Sequence, residues 1–285
     1  MVGIDLTGIL GKLTLDDVHK FAQLGFSHDQ KSNLLRATPE GQSAAQEAAW
    51  RLCAKSAEYF ILDSKFVTTL DNQVKWDCTG CGKIISAVGA PNCARCGSPT
   101  TRRDPIQNFP STRTDLRDVL RVFEIEQLIA IKKSRRLLCT ELTCAKALHK
   151  LMFRKGTLAV FQSDKEDKAN DNIQRVHGMW NRLPEWMKRR RPANPTKNGQ
   201  MISLYFEIPN NHAKLVGIPS GPKQIREMGP TFYFADEAAF HPDALATFGA
   251  VRQAIESGCQ AVYASTAAAG FFAGLTNDAL EMVGS

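Results

Sequence analysis

The run Thr231-Phe232-Tyr233-Phe234-Ala235-Asp236-Glu237 constrains the fold more than any other stretch of this chain. Its apolar residues are continuous rather than alternating, which suits a strand buried on both faces. It then ends in two adjacent acids. A buried strand that delivers neighbouring carboxylates to its end suits nucleotide chemistry, with one acid near a magnesium ion and the next polarising an attacking water. The same residues also fit a core strand ending in a solvated acidic turn. A phosphate-binding partner upstream would separate the two readings.

Other segments build a sheet around that strand. Residues 128–131, 157–162 and 260–264 read as buried strands, and 202–208 and 213–216 as further strands. Residues 140–154 and 165–183 read as helices, with Ser163-Asp164 as a helix cap for the second. Residues 217–221, Gly-Ile-Pro-Ser-Gly, read as a loop by composition. Apolar strands alternating with helices predict an α/β fold, a mainly parallel sheet with helices on both faces. Ligands bind such sheets at the carboxyl ends of the strands.

Before this part, residues 1–72 read as a helical N-terminal region, and residues 73–103 change character. There Cys78 and Cys81, then Cys93 and Cys96, form two C-x-x-C-G knuckles. Two such turns place four thiolates around one tetrahedral Zn²⁺, and the glycines suit the tight turn behind each pair. The segment predicts a zinc ribbon. Lys75, Lys83, Arg95, Arg102 and Arg103 surround it, so it reads either as a contacting finger or as a staple for an insertion lacking its own core. The other four cysteines stand in apolar or helical contexts and read as buried thiols. With 285 residues the chain suits about two domains. No apolar run reaches the ~18 residues of a membrane span, and the first residues lack the pattern of a signal peptide. These features lead to the expectation of a soluble, cytoplasmic protein.

A formal net charge of +7 favours an acidic partner, nucleic acid first. The run Lys188, Arg189, Arg190 and Arg191 beside Trp186 is a candidate for tracking a phosphate backbone, or a solvated loop. After the strand at 128–131 comes Lys132-Lys133-Ser134-Arg135-Arg136-Leu137-Leu138-Cys139-Thr140, where a phosphate loop belongs. Of the standard G-x-x-x-x-G-K-[ST] spacing only Thr140 matches. A helix N-terminus still offers N–H groups to phosphate, Thr140 a hydroxyl to Mg²⁺, Lys133 or Lys132 a cation, and Arg135 or Arg136 a charge for the γ-phosphate. A basic surface turn is the competing reading.

The order of these pieces resembles the ATPase domain of phage terminase large subunits, the motors that package viral DNA. The resemblance covers roughly residues 115 to 270. It implies a P-loop NTPase-like domain over 104–285, ATP hydrolysis coupled to translocation of double-stranded DNA, and Mg²⁺ as cofactor. It makes Lys133 the displaced lysine of a deviant phosphate loop, Arg135 the loop arginine acting in catalysis, and Thr140 the magnesium hydroxyl. Ser134 and Arg136 join the nucleotide-binding residues. Asp236 resembles the magnesium-site acid, Glu237 the catalytic base, and Ser265-Thr266 the motif coupling nucleotide state to movement. Arg226 and Gly229 resemble the lead-in to the acidic pair. A homo-oligomeric ring, a viral portal, a small subunit and the host cytoplasm follow from the resemblance alone. Family members usually continue into a nuclease, which this sequence leads us to expect to be absent. Leu138 and Cys139 depart from the loop pattern. Two other readings stay open: a helicase-like nucleic-acid-dependent ATPase, or a non-catalytic zinc-containing scaffold binding DNA or protein, with a degenerate loop.

Overall fold

The computed structural model describes residues 39–71, 74–87, 89, 92–133, 137–188, 191–193, 196–197, 200–201, 203–208 and 211–283. Most of the helical region expected over residues 1–72 therefore lies outside the described residues. Its described part opens with helix α1 (Pro39–Lys55) and a wide turn at Tyr59–Asp63, then gives way to strand β1 (Thr68–Leu70). The four strands β2 (Lys75–Cys78), β3 (Ile84–Ser86), β4 (Thr100–Arg102) and β5 (Ile106–Asn108) follow, then α2 (Thr114–Ile125) and β6 (Leu128–Lys132). Next come α3 (Cys139–Phe153), β7 (Leu158–Ser163) and α4 (Glu166–Asn181), followed by β8 (Arg191–Ala193), β9 (Thr196–Lys197), β10 (Gln200–Met201), β11 (Ser203–Ile208) and β12 (Asn211–Pro219). The chain continues through α5 (Lys223–Met228), β13 (Phe232–Asp236), α6 (Ala244–Glu256), β14 (Gln260–Ser265) and α7 (Phe271–Val283).

One sheet of seven strands organises the α/β part, in the order β6-β14-β13-β7-β12-β11-β8. From β6 to β12 every neighbouring pair is parallel. Strands β11 and β8 extend the far edge in antiparallel fashion. The carboxyl ends of the parallel strands therefore share one edge, which carries Lys132, Ser265, Asp236, Ser163 and Pro219.

The continuous apolar run in β13 is explained by the two layers it touches. Phe232 and Phe234 join Ala159, Phe161, Leu215 and Val262 in a core shared with α1 to α4. Tyr233 and Ala235 point the other way, into a core with Val160, Tyr263 and residues of α5, α6 and α7. Successive side chains on a strand face opposite sides, so a strand covered twice must be apolar throughout. This is the α/β arrangement that the sequence predicts, a mainly parallel sheet with helices on both faces.

The expected loop at 217–221 is corrected. Gly217 to Pro219 are the last residues of β12, paired in parallel register with Phe161 to Ser163 of β7. Gly217 is there for closeness rather than for a turn: a Cβ on it would stand 2.8 Å from Ile173 Cδ1 and 3.4 Å from Ala169 Cβ on α4. Pro219 is tolerated because it ends the strand. The expected Ser163-Asp164 cap is also corrected. Lys165 occupies the cap of α4 with no side-chain cap bond, and Asp164 pairs instead with Lys168 at 2.9 Å.

Candidate functional site

The tip of β6 runs directly beside β14, and the Lys133 N–H donates to the Ser265 carbonyl at 2.9 Å. Residues 134–136 lie outside the described residues, so the positions of Ser134, Arg135 and Arg136 are not part of the geometry below. The chain re-enters at Leu137 and turns into α3. Leu138 caps that helix in the left-handed conformation, φ 61° and ψ 13°. This is the position of the second glycine in the standard phosphate-loop spacing. The backbone thus keeps a glycine-like shape although the residue is leucine. The conformation costs about 1–2 kcal/mol for an L-residue. Packing of the half-buried Leu138 side chain against the main core offsets it.

Three side chains then meet across the carboxyl edge of the sheet. The Lys133 ammonium donates to Asp236 Oδ1 at 2.7 Å and to Thr140 Oγ1 at 2.9 Å. The Thr140 hydroxyl donates to the same Asp236 oxygen at 3.2 Å. Lys133 also lies 3.4 Å from Glu237 Oε1. The Lys133 and Asp236 side chains are only 10% and 15% exposed, so this pair is shielded far more than a surface ion pair. Burial pulls the Lys133 pKa down, but the carboxylates of Asp236 and Glu237 more than compensate and the net direction is up.

The two acids are held differently. Asp236 ends β13, with its second oxygen accepting from Asn172 Nδ2 at 3.3 Å. Glu237 leaves the strand in the left-handed region, φ 52°, and this turns its carboxylate toward β14. Its Oε2 accepts from Ser265 Oγ at 3.3 Å, Thr266 N–H at 3.3 Å and Thr266 Oγ1 at 3.4 Å. Ser265 is fully buried, and its hydroxyl oxygen accepts from the Ala239 N–H at 3.2 Å. Behind them the His241 ring donates through Nε2 to the Asp236 carbonyl at 2.9 Å. Burial holds this imidazole below its usual pKa.

The fold therefore brings together Lys133, Thr140, Asp236, Glu237, Ser265 and Thr266, all of them candidates by sequence. Asn172 and the link from His241 to the acidic pair are visible only in the fold. Nothing local in the sequence marks Asn172, an asparagine in the interior of α4. A buried polar residue needs a partner, and only the fold shows that the partner is Asp236.

A second cluster lies in the small antiparallel sheet β3-β2-β4. The Sγ atoms of Cys78, Cys81, Cys93 and Cys96 all fall within 4.8 Å of one another, close enough to hold one metal ion. Each knuckle closes on a left-handed glycine: Gly82 donates to the Cys78 carbonyl at 3.0 Å and Gly97 to that of Cys93 at 2.7 Å. The Ser98 hydroxyl and N–H hold the Cys96 thiol down at about 6, toward the thiolate a metal requires. Around the cluster, Arg103 bonds Asp77 at 3.2 Å and Gln107 at 3.0 Å, and Lys75 pairs with Asp71. At least these two of the five basic residues serve the ribbon's own framework. The strand pair β1–β5 forms its stalk, tied to α4 by Arg182, which donates to Thr68 Oγ1 at 2.8 Å and to its carbonyl at 3.0 Å.

Solved structures similar to this chain include phage large terminases. A Thermus phage large terminase ATPase domain has 17% identity and a TM-score of 0.47, the match covering 55% of this chain and 66% of that one. The large terminase of bacteriophage HK97 has 16% identity and a TM-score of 0.45, over 66% of this chain and 39% of that one. The large terminase of a thermophilic bacteriophage, solved with ADP, has 11% identity and a TM-score of 0.37, over 50% and 34%. This chain thus spans less than two thirds of each of them. No protein-family model and no curated protein matches the chain.

The basic run is only partly placed. Lys188 pairs with Glu185 at 2.7 Å and stands 5.6 Å over the Trp180 ring. Arg189 and Arg190 lie outside the described residues, and Arg191 opens β8 opposite Glu207 of β11. Trp186 packs edge-on against Phe66 at 5.3 Å, toward the main core. Among the described residues no helix is long and apolar enough to cross a membrane.

Proposed function

We propose that this chain is the ATP-hydrolysing motor subunit of a terminase-type machine that moves double-stranded DNA. The observation that carries the reading is the meeting of Lys133, Thr140 and Asp236, with Glu237 turned aside into a separate bonding set. Bound ATP and Mg²⁺ supply the reacting phosphoryl group and its charge neutralisation. Thr140 and Asp236 hold the metal side, and Lys133 and the α3 N-terminus face the phosphates, with Ser134 and Arg136 in the same loop. Glu237 orients and polarises the attacking water. Arg135 stabilises charge on the transferring group. Because Ser265 and Thr266 bond the Glu237 carboxylate, a change at the base passes directly to the end of β14, as a coupling motif requires. The basic run Lys188, Arg189, Arg190 and Arg191 is the sequence's candidate for contact with duplex DNA. The ring, the portal and the small subunit belong to the proposal through the resemblance in motif order.

The test is ATP turnover with and without duplex DNA, comparing wild type with Glu237→Gln. The expected loss is about 10²- to 10⁴-fold, the usual contribution of a general base. Equal background turnover in both proteins would sink the enzymatic reading. Leu138 in the glycine position is the observation that favours a second reading, a zinc-containing scaffold without turnover, and the same comparison decides between them.

The four thiolates of Cys78, Cys81, Cys93 and Cys96 hold one structural Zn²⁺ in this proposal. Metal analysis of the purified protein should find about one zinc per chain; four freely titrating thiols and no metal would refute it.

A further inference from the structure

A cleft of about 460 Å³ lies at the opposite edge of the sheet from Lys133, where the parallel strands begin. Gln260 opens β14 at its floor, Thr231 and Thr157 precede β13 and β7, and the end of α3 forms its wall. Four cations line it: Lys146, Lys150, Arg154 and Lys155. They face two carboxylates, Glu124 and Glu126. Glu124 is already engaged by the buried Lys146.

Lys150 is the residue that needs explaining. Its ammonium stands 5.4 Å over the Phe232 ring. Among the described residues it makes no ion pair within 4 Å, and neither does Arg154. A helix C-terminus favours cations, which accounts for basic residues in the last turn of α3. It does not account for one of them being drawn into a cleft, since an exposed lysine would complement the dipole with no desolvation cost. Burial lowers the Lys150 pKa to about 8, with Lys146 adding to the effect. An anion seated in the cleft would reverse that cost by supplying the missing charge.

We propose that this cleft is a binding site for a phosphate-type anion, held by Lys150 and Arg154 and separate from the nucleotide-facing residues at the other edge of the sheet. A compact anion with several acceptor oxygens matches the donors: an ammonium half-buried in the wall and a guanidinium at the rim. Free phosphate and the phosphate of a nucleic acid backbone share this chemistry.

The experiment is titration with inorganic phosphate at constant ionic strength, read by calorimetry, on wild type, Lys150→Met, Arg154→Gln and Lys133→Met. Lys150→Met keeps the stem over Phe232, and Arg154→Gln changes an exposed residue, so at least one variant should fold normally. The expected result is about tenfold weaker phosphate binding in each of these two, with Lys133→Met retaining the site. Affinity for a short duplex is measured in the same variants. A tenfold loss there, with no response to free phosphate, also supports the site and assigns it to backbone phosphate. Binding of both probes unchanged in Lys150→Met and Arg154→Gln overturns the proposal. So does phosphate binding abolished by Lys133→Met alone.

Discussion

The ribbon and the sheet solve the same problem, holding strands together, with opposite means. In the sheet, β13 and its neighbours bury every side chain from Phe232 to Ala235, and two apolar layers fix one register. In the ribbon, β3 and β4 are short and largely open to solvent, and Ile84 is 48% exposed. What converges there is four sulfur atoms, with Cys78 and Cys96 at 3.3 Å and Cys81 and Cys93 at 3.7 Å. A segment this small cannot bury enough apolar area to offset its chain entropy, so the metal proposed for the four thiols would take over the role of a core. The difference shows that the two regions should fail independently and by different agents.

Removing the proposed zinc should give the largest effect. A structural zinc contributes about 10–16 kcal/mol to the fold it organises. A strong chelator, or Cys93→Ser, should abolish amide-exchange protection across β2 to β4 while β7, β13 and β14 keep theirs. Loss of protection in both regions together would break the comparison. The reverse experiment is Phe234→Ala. This ring is fully buried and meets Phe161 edge-on at 5.3 Å. The substitution should cost about 3–5 kcal/mol of global stability, measured by urea unfolding, and leave metal content at its wild-type value.

Acid supplies a smaller and sharper probe of the sheet side. His149 is buried on α3, its Nε2 donating to the Cys53 carbonyl at 2.8 Å, and its Nδ1 is buried with no partner among the described residues. Burial, then the nearby Lys146, depress its pKa from 6.5 to about 3. The unfolded chain therefore binds a proton that the folded chain refuses, so stability is full above pH 6.5 and falls as pH drops toward 3. At pH 5 the loss from this group is about 2 kcal/mol relative to pH 7. His149→Gln should flatten that part of the urea midpoint profile; an unchanged slope would assign the acid sensitivity elsewhere.

Much of this could be read before any coordinates existed, and the reason is physical. Strands β7, β13 and β14 announce themselves because a doubly covered strand is continuously apolar, and the convergence of the two knuckles because their ligand type and spacing suit a single metal ion. Reading failed where composition misleads about purpose. Gly217 and Pro219 look like loop residues, yet one makes room for α4 and the other ends a strand. Leu138 looks like a broken glycine, yet its backbone adopts φ 61° all the same. Asn172 carries no local mark, because its role depends on an aspartate 64 positions away that only the packed fold brings near.

The Lys133–Asp236 contact has one more consequence. Two neighbouring carboxylates at the carboxyl end of β13 are partly neutralised from within the chain, by one ammonium 2.7 Å from one and 3.4 Å from the other. The lysine and any incoming divalent cation are then rivals for the same aspartate oxygen. In the proposed function, cation capture at Asp236 would be an exchange of partners, most favourable when a polyanion arrives at the same moment to receive the displaced ammonium.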